Sequence, residues 1–313
     1  MTDRPEVLVT APLPAPSLEK LRASFIVHHA VGKSESAQAI EKHGANIRAV
    51  LASGSRGFTA AEIAKLPKLG VICALGAGYE GIDSAAAKAR GIAVTHAVGT
   101  NNNTVADQAM GLLISVVRAL SRSERMLRAG QWEEFSESRP CVYGKKIGIL
   151  GLGAIGTMIA KRAGGFDLEV RYHNRNKRGD VPYTYCASVQ ELAEQSDFLV
   201  IACVGGPSTR HLVNHKVLKA LGPKGYVVNV ARGTVIDTEA LIAALAAGEI
   251  AGAALDVLEN EPEVPEALKE FPNVVLTPHF GGRSHEAQAL GIVQAIDNLT
   301  AFFAGKPVLT PVD

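Results

Sequence analysis

The sequence predicts an α/β protein of two Rossmann-like lobes, each a mostly parallel sheet flanked by helices, with a cleft between them. Three observations carry this expectation. Short runs rich in Val and Ile alternate with longer helical patterns, as strands and crossover helices do in parallel sheets. The chain has 313 residues, more than a single hydrophobic core usually organises. A glycine-rich turn, GLGAIG, opens the second of two strand-helix series.

In the first series EVLVT, IRAVLAS, LGVICAL and GIAVTH read as strands, each closed by a Gly, Ser or Pro cluster suited to loops. From Thr104 to about Arg128 the pattern TVADQAMGLLISVVRALSRSERMLR is proline-free and reads as one long helix. The second series supplies KIGILG, LEVRYHN, FLVIACV, GYVVNVA, GAALDV and NVVLTPH. SHEAQALGIVQAIDNLTAFFAG ends the chain as a helix with a broad apolar face. The glycine turn lies in the second series, so residues 101–283 are expected to form a dinucleotide-binding domain. Residues 1–100 and 284–313 are expected to form the substrate-binding (catalytic) domain, with the last helix packing back on the first lobe.

Composition narrows the class. Nearly half the residues are apolar (47%) and a fifth are charged (20%), with a formal charge of +1 and no block of like charge. Neither a nucleic-acid nor a membrane partner is expected. The N-terminus, MTDRPEVLVTAPLPAP, lacks the pattern of a signal peptide, and a cytoplasmic protein is expected. Cys73, Cys141, Cys186 and Cys203 form no C-x-x-C pair, so neither a disulfide framework nor a zinc site is expected. His28, His29, His43, His96, His211 and His215 show no metal-ligand spacing, and no metal is expected.

The glycine turn carries the first chemistry. It follows an apolar strand (Ile147, Ile149, Leu150) and precedes a helical pattern (Ile159, Ala160, Ala163), the context a dinucleotide fingerprint requires. Gly151 permits the tight turn, Gly153 admits the pyrophosphate and Gly156 lets helix and strand pack closely. Ala154 and Ile155, between them, begin a helix whose free amides and dipole favour the anion. An NAD site places an acid roughly 20 residues on, to accept from the ribose 2′-hydroxyl. Here RYHNRNKR has no carboxylate from Arg171 through Arg178. Arg175, assisted by His173, Asn174 or Lys177, suits a 2′-phosphate, so NADP is expected over NAD.

Three further segments, NVARGTVID, LDVLENEPEVP and LTPHFGG, each follow a strand, and parallel strands put those ends on one edge. A cation, a carboxylate and an imidazole there suit reduction of a 2-keto acid. Arg232 would bind the substrate carboxylate, His279 would exchange the carbonyl proton and Glu261 would orient His279. His285 competes for the acid role, but it begins the last helix and lacks the Thr-Pro lead-in.

At these residues the chain resembles the D-isomer-specific 2-hydroxyacid dehydrogenase family. GAGYEGID near Gly76, TVAD, GLGAIG, NVARG, ALDV, NEP and TPH occur in that family's order and approximate spacing, over essentially the whole chain. The resemblance implies that Arg232, Glu261 and His279 are the catalytic trio, with formation of D-products. It implies that Ala77 and Gly78 offer amides to the substrate carboxylate and that Asp256 holds the nicotinamide carboxamide. Val204 and Val230 would line the cofactor, with Thr104 and Gly281 near it. The N-R pair and GGPSTRHL, beginning at Gly205, resemble the NADPH-preferring glyoxylate/hydroxypyruvate reductase subgroup and related hydroxyphenylpyruvate and 2-ketogluconate reductases. Two departures stand out: HFGG after the strand, which puts Phe280 by the pocket wall, and Asp107 where the family usually has Glu.

Alternatives remain open. Ser53, with Gly54, Ser55 and Arg56, is read as facing substrate, and the small residues leave room for a larger 2-keto acid. Relatives on this fold include dinucleotide-sensing co-repressors, which carry added peptide-binding segments. Formate dehydrogenase resembles the chain less, because it has Gln where Glu261 stands. The family pairs into homodimers through the long helix. Ala106, Met110, Leu113 and Val117 lie at helical spacing there and fit either that interface or intramolecular core.

Overall fold

Each predicted Val/Ile run becomes a buried parallel strand in the computed structural model, which describes residues 4–54, 56–132 and 138–312. The chain divides into two compact units, Met1–Asn101 with Arg283–Asp313 and Asn102–Gly282.

The first unit runs β1 (Glu6–Val9), α1 (Ala15–Ser24), β2 (Ile26–His29), α2 (Lys33–His43), β3 (Ile47–Ala52), α3 (Ala60–Ala64), β4 (Val71–Ala74), α4 (Ser84–Ala89) and β5 (Ala93–His96). Its five strands are parallel in the order β2-β1-β3-β4-β5. Side-chain alternation splits its core. Leu8, Val50, Ala52 and Ile72 pack with Ile40, Ile63 and Ala87 on one face. Val7, Val9, Ala49, Leu51 and Cys73 pack on the other. β2 has no counterpart among the predicted strands: IVHH is a partly exposed edge strand without the apolar run that betrays a central one. Strand order reverses between β1 and β3, so the loops after them flank a switch point.

The second unit begins with a correction. The expected single helix is two, α5 (Asn102–Val117) and α6 (Leu120–Arg128), bent by 61°. Ala119 is left-handed at the break, with φ 52°. Such a residue costs about 1–2 kcal/mol. The Arg118 guanidinium offsets this by donating to the carbonyls of Arg139 and Pro140. The core stripe ends here too: α5 buries Leu112, Leu113, Val116 and Val117, whereas α6 buries none. Ala106, Met110, Leu113 and Val117 all lie in this unit's own core, which decides between the two readings of that face. No single helix among the described residues is long and apolar enough to cross a membrane.

Then follow β6 (Lys146–Leu150), α7 (Ala154–Gly164), β7 (Glu169–His173), β8 (Thr184–Tyr185), α8 (Val189–Glu194), β9 (Phe198–Ile201), α9 (His215–Leu221), β10 (Tyr226–Asn229), α10 (Thr238–Ala246), β11 (Gly252–Leu255), α11 (Glu266–Glu270) and β12 (Val274–Leu276). The seven strands are parallel in the order β12-β11-β10-β9-β6-β7-β8, reversing between β6 and β9. Ile147, Ile149, Val200 and Val228 pack under α5 and α7. Their neighbours Leu199, Ile201 and Val227 pack with Leu192, Leu218 and Leu241 on the opposite face. The chain returns to the first unit through α12 (His285–Phe303), whose Ala295 and Leu299 join the Val7, Leu51 and Cys73 cluster.

Candidate active site

The glycine turn sits at the switch point of the seven-stranded sheet, where reversal of strand order opens a crevice at the strand ends. Gly151 has φ 97°, and a Cβ there would lie 2.5 Å from the backbone of Cys203, at the end of β9. A Cβ on Gly156 would stand 2.1 Å from the Gly151 carbonyl, so its absence sets how closely α7 approaches β6. Nothing lies within 4 Å of a Cβ on Gly153, which is the N-cap of α7. A turn tight at its two ends and open in the middle, facing a helix N-terminus, fits a dinucleotide pyrophosphate. Cys203 beside it is not a ready nucleophile, since burial pushes its thiol up to about 11.

The loop after β7 does more than present cations. Asn174 Oδ1 accepts from the Leu152 N–H at 2.6 Å, and the His173 ring bonds the Cys186 carbonyl through Nδ1 at 2.9 Å. Through these atoms both side chains help to shape the turn. Arg175 is exposed and, among the described residues, carries no ion pair. Sequence reasoning missed Arg178. Its guanidinium donates to the Leu152 carbonyl (2.9 Å) and Thr157 Oγ1 (3.0 Å), while Asp180 holds its other side. Asp107, the departure on α5, accepts from Arg162 Nε at 2.6 Å and so ties α5 to α7.

Arg232, Glu261 and His279 lie on the loops after β10, β11 and β12, neighbouring strands of one sheet. His279 Nδ1 meets Glu261 Oε2 at 2.7 Å, and the other carboxylate oxygen accepts from the Leu258 N–H at 3.1 Å. Burial raises the Glu261 carboxyl, but bonds from His279 and Leu258 and the charges of His279 and Arg232 outweigh it, leaving it below its ordinary value. A Cβ on Gly233 would fall 1.9 Å from the Leu258 carbonyl carbon, so glycine after Arg232 lets its loop press against the loop bearing Glu261. The stem of Arg232 rests on Gly205, where a Cβ would lie 2.5 Å from Arg232 Cγ.

His279 is itself left-handed, with φ 49°. Strain of this kind persists only where its surroundings enforce it. Its N–H donates to the Asp256 carbonyl at 2.8 Å, and the Asp256 carboxylate accepts from Thr277 Oγ1 (2.5 Å) and the amides of Phe280 (2.9 Å) and Gly281 (2.8 Å). Gln108 Nε2 on α5 supports Thr277 at 3.2 Å. Asp256 thus clamps the turn that carries His279. Asn229, 1% exposed, does the same for Arg232: its carboxamide accepts from the Ala231 N–H and donates to the Arg232 carbonyl, both at 3.0 Å. The signal for it was a polar residue ending an otherwise apolar strand.

Other expected positions are less uniform. Val204 is exposed beside the glycine turn, whereas the Val230 side chain is core, so any cofactor role there falls on its main chain. Thr104 is half-buried in the first turn of α5. In the first unit Ser53 follows β3, and Ala77 and Gly78 follow β4. These two loops touch backbone to backbone, since a Cβ on Gly54 would lie 1.7 Å from the Gly78 carbonyl oxygen. The Ala77 carbonyl bonds His96 Nδ1 at 2.8 Å. Arg56 turns toward Glu62, with a 3.5 Å ion pair, and Ser55 lies outside the described residues. Tertiary contact also assembles what spacing hid: Glu6, His28 and His43 bring their ligand atoms within 4.8 Å of one another, with the His28 and His43 rings stacked 4.0 Å apart.

Comparison with known proteins identifies the family. A family model described as D-isomer specific 2-hydroxyacid dehydrogenase, NAD binding domain, matches residues 110–281. The chain is 39% identical over 307 residues to glyoxylate/hydroxypyruvate reductase A of Arabidopsis thaliana, covering 98% of each chain. It is 41% identical over 269 residues to hydroxyphenylpyruvate reductase of Plectranthus scutellarioides, covering 85% of this chain and 86% of that one. The structure is similar to an NADPH-dependent glyoxylate/hydroxypyruvate reductase from Sinorhizobium meliloti solved with NADP and malonate. The TM-score is 0.89 at 37% identity, over 99% of this chain and 97% of the other.

Proposed function

The chain belongs to the D-isomer specific 2-hydroxyacid dehydrogenase family of enzymes, and from that premise we propose that it reduces a small 2-keto acid of the glyoxylate or hydroxypyruvate type to the D-2-hydroxy acid with NADPH. The observation that carries the reading is the His279–Glu261 pair at 2.7 Å, beside the Arg232 loop on the edge that bears the glycine turn.

A bound reduced dinucleotide supplies hydride to the keto carbon. His279 gives a proton from Nε2 to the carbonyl oxygen, completing the alcohol. Glu261 holds the opposite ring nitrogen and so fixes the imidazole's direction. Arg232 grips the substrate carboxylate in a charge-assisted fork that a lysine cannot reproduce. Ala77, Gly78 and Ser53, at the strand ends of the first unit, are assigned to the substrate.

The preference for NADPH rests on Arg175, exposed and outside any ion pair among the described residues, and on the lack of a carboxylate from Arg171 through Arg178. Arg178 adds a second cation at the turn, paired with Asp180. A homodimer is part of the same proposal: α6 buries nothing within its unit, and Leu120 and Leu127 on it are 50% and 53% exposed. Light scattering that returns a monomer mass would remove the dimer from the reading.

The experiment for the reaction is a kinetic comparison of glyoxylate, hydroxypyruvate, 2-ketogluconate and hydroxyphenylpyruvate, each with NADPH and NADH. The proposal expects highest kcat/KM for one of the first two with NADPH. Preference for a larger acid would shift the substrate. NADPH binding without turnover of any acid would point instead to a dinucleotide-sensing protein.

A further inference from the structure

Behind the Arg232 and Glu261 loops lies a second charged cluster that the reaction as described does not use. Glu259, with 14% of its side chain exposed, accepts from Arg210 Nη2 (2.7 Å) through Oε1 and from Thr238 Oγ1 (3.0 Å) through Oε2. His211 Nε2 also reaches Oε1, at 2.8 Å. Burial pushes the Glu259 carboxyl up, but the bonds from His211 and Thr238 and the charges of His211 and Arg210 bring it below its ordinary value, so it is an anion at neutral pH.

These partners come from two segments that flank Arg232. Residues 211–213 run alongside 234–237 through the backbone bonds His211 N–H to Thr234 O (2.8 Å), Val213 N–H to Val235 O (3.0 Å) and Asp237 N–H to Val213 O (3.0 Å). His211 is left-handed, with φ 52°, one of four non-glycine residues with positive φ among the described residues, and His279 is another. The 205–213 segment also begins under the Arg232 stem, at Gly205. Glu259 in turn sits in the 258–261 turn, whose Leu258 touches Gly233 and whose Leu258 N–H holds Glu261.

We infer that Glu259 is a positioning residue: its carboxylate ties the 205–213 segment and Thr238 to the 258–261 turn, and so sets Arg232 and Glu261 relative to each other. The inference rests on the proposed reaction for its kinetic consequence, but its geometry stands without it. The two functions of the trio should separate. Loosening the Arg232 turn weakens the grip on the substrate carboxylate, while displacing Glu261 weakens the support of His279. Neither touches the glycine turn.

Glu259→Gln keeps the shape and removes the charge. With the best 2-keto acid of the panel, the expected result is about a tenfold higher KM for the keto acid and a lower kcat, the size of one weakened charge-assisted hydrogen bond, with KM for NADPH unchanged. Arg210→Gln, at an exposed side chain that does not endanger folding, should move the same KM in the same direction by less. Long-range ¹⁵N imidazole spectra supply a readout independent of turnover: the signal of the His279 Nδ1 proton bonded to Glu261 should shift or broaden in Glu259→Gln. A folded Glu259→Gln protein with unaltered keto-acid constants and an unaltered His279 signal overturns the inference. If the parent turns over none of the acids, the proposed function falls, and the imidazole signal alone decides this one.

Discussion

Three glycines in one turn should fail in two different ways when each is replaced by alanine. At Gly151 the side chain would have to adopt φ 97° and stand 2.5 Å from the Cys203 backbone, against an ordinary contact of 3.4–4 Å. Unfavourable backbone geometry costs roughly 1–3 kcal/mol, and forced overpacking about as much again. A loss of about 2–6 kcal/mol is a large part of the ~5–15 kcal/mol that holds a domain together. At roughly 2–4 °C per kcal/mol, Tm should fall by about 4–24 °C. Gly156→Ala should behave likewise, its Cβ meeting the Gly151 carbonyl oxygen at 2.1 Å. Gly153 has φ −83° and open space around the missing Cβ, so Gly153→Ala should cost at most about 1 kcal/mol, the loss of a tolerant N-cap. Its penalty should appear in binding, because the methyl group fills the face where the pyrophosphate approaches. NADPH affinity should fall at least about tenfold, or ~1.4 kcal/mol. Thermal unfolding and NADPH fluorescence titration on the three variants separate the effects. A Gly153→Ala protein that binds NADPH as the parent does, or that unfolds as early as Gly151→Ala, refutes the reasoning.

Arg175→Ser should lower kcat/KM with NADPH by about 10- to 100-fold and leave NADH nearly unaffected, since a single charge-assisted contact is at stake; equal losses with both cofactors would place Arg175 elsewhere. His279→Ala should cost about 10²–10⁴ in kcat, checked with purified folded protein. The folded value of Glu261 is lowered, so its stabilising contribution is present above the ordinary value of 4.5 and lost as pH falls through the folded one. The difference in stability between parent and Glu261→Gln should accordingly shrink toward acid, as urea unfolding across that range would show. Arg232→Lys should raise KM for the keto acid far more than KM for NADPH.

Most strands, and the placement of Arg232, Glu261 and His279 on neighbouring strand ends, were legible because their signals are local. Buried parallel strands must be continuously apolar, and the glycine turn, NVARG, NEP and TPH each follow one directly. What escaped were features made by distant segments. The edge strand β2 lacks an apolar run, and the break at Ala119 carries neither proline nor glycine to announce it. That Asn174 Oδ1 also accepts from the Leu152 amide, 22 positions away in the chain, no local pattern shows. Arg178 was passed over because nothing in RYHNRNKR shows that its guanidinium reaches back to Thr157.

By itself the sequence determined two parallel α/β lobes, a glycine turn opening a helix and the order of Arg232, Glu261 and His279, because periodicity, glycine placement and strand ends are properties of short stretches. Only the tertiary structure decided which of those side chains face outward and which are bound within the protein. Asp256 and Glu259 take their partners from distant segments, Thr277, Phe280 and Gly281 for the first and Arg210, His211 and Thr238 for the second. A hydrogen bond between loops depends on where strand register brings them, and that register is settled by packing of the whole unit, not by the residues on either side of the bond.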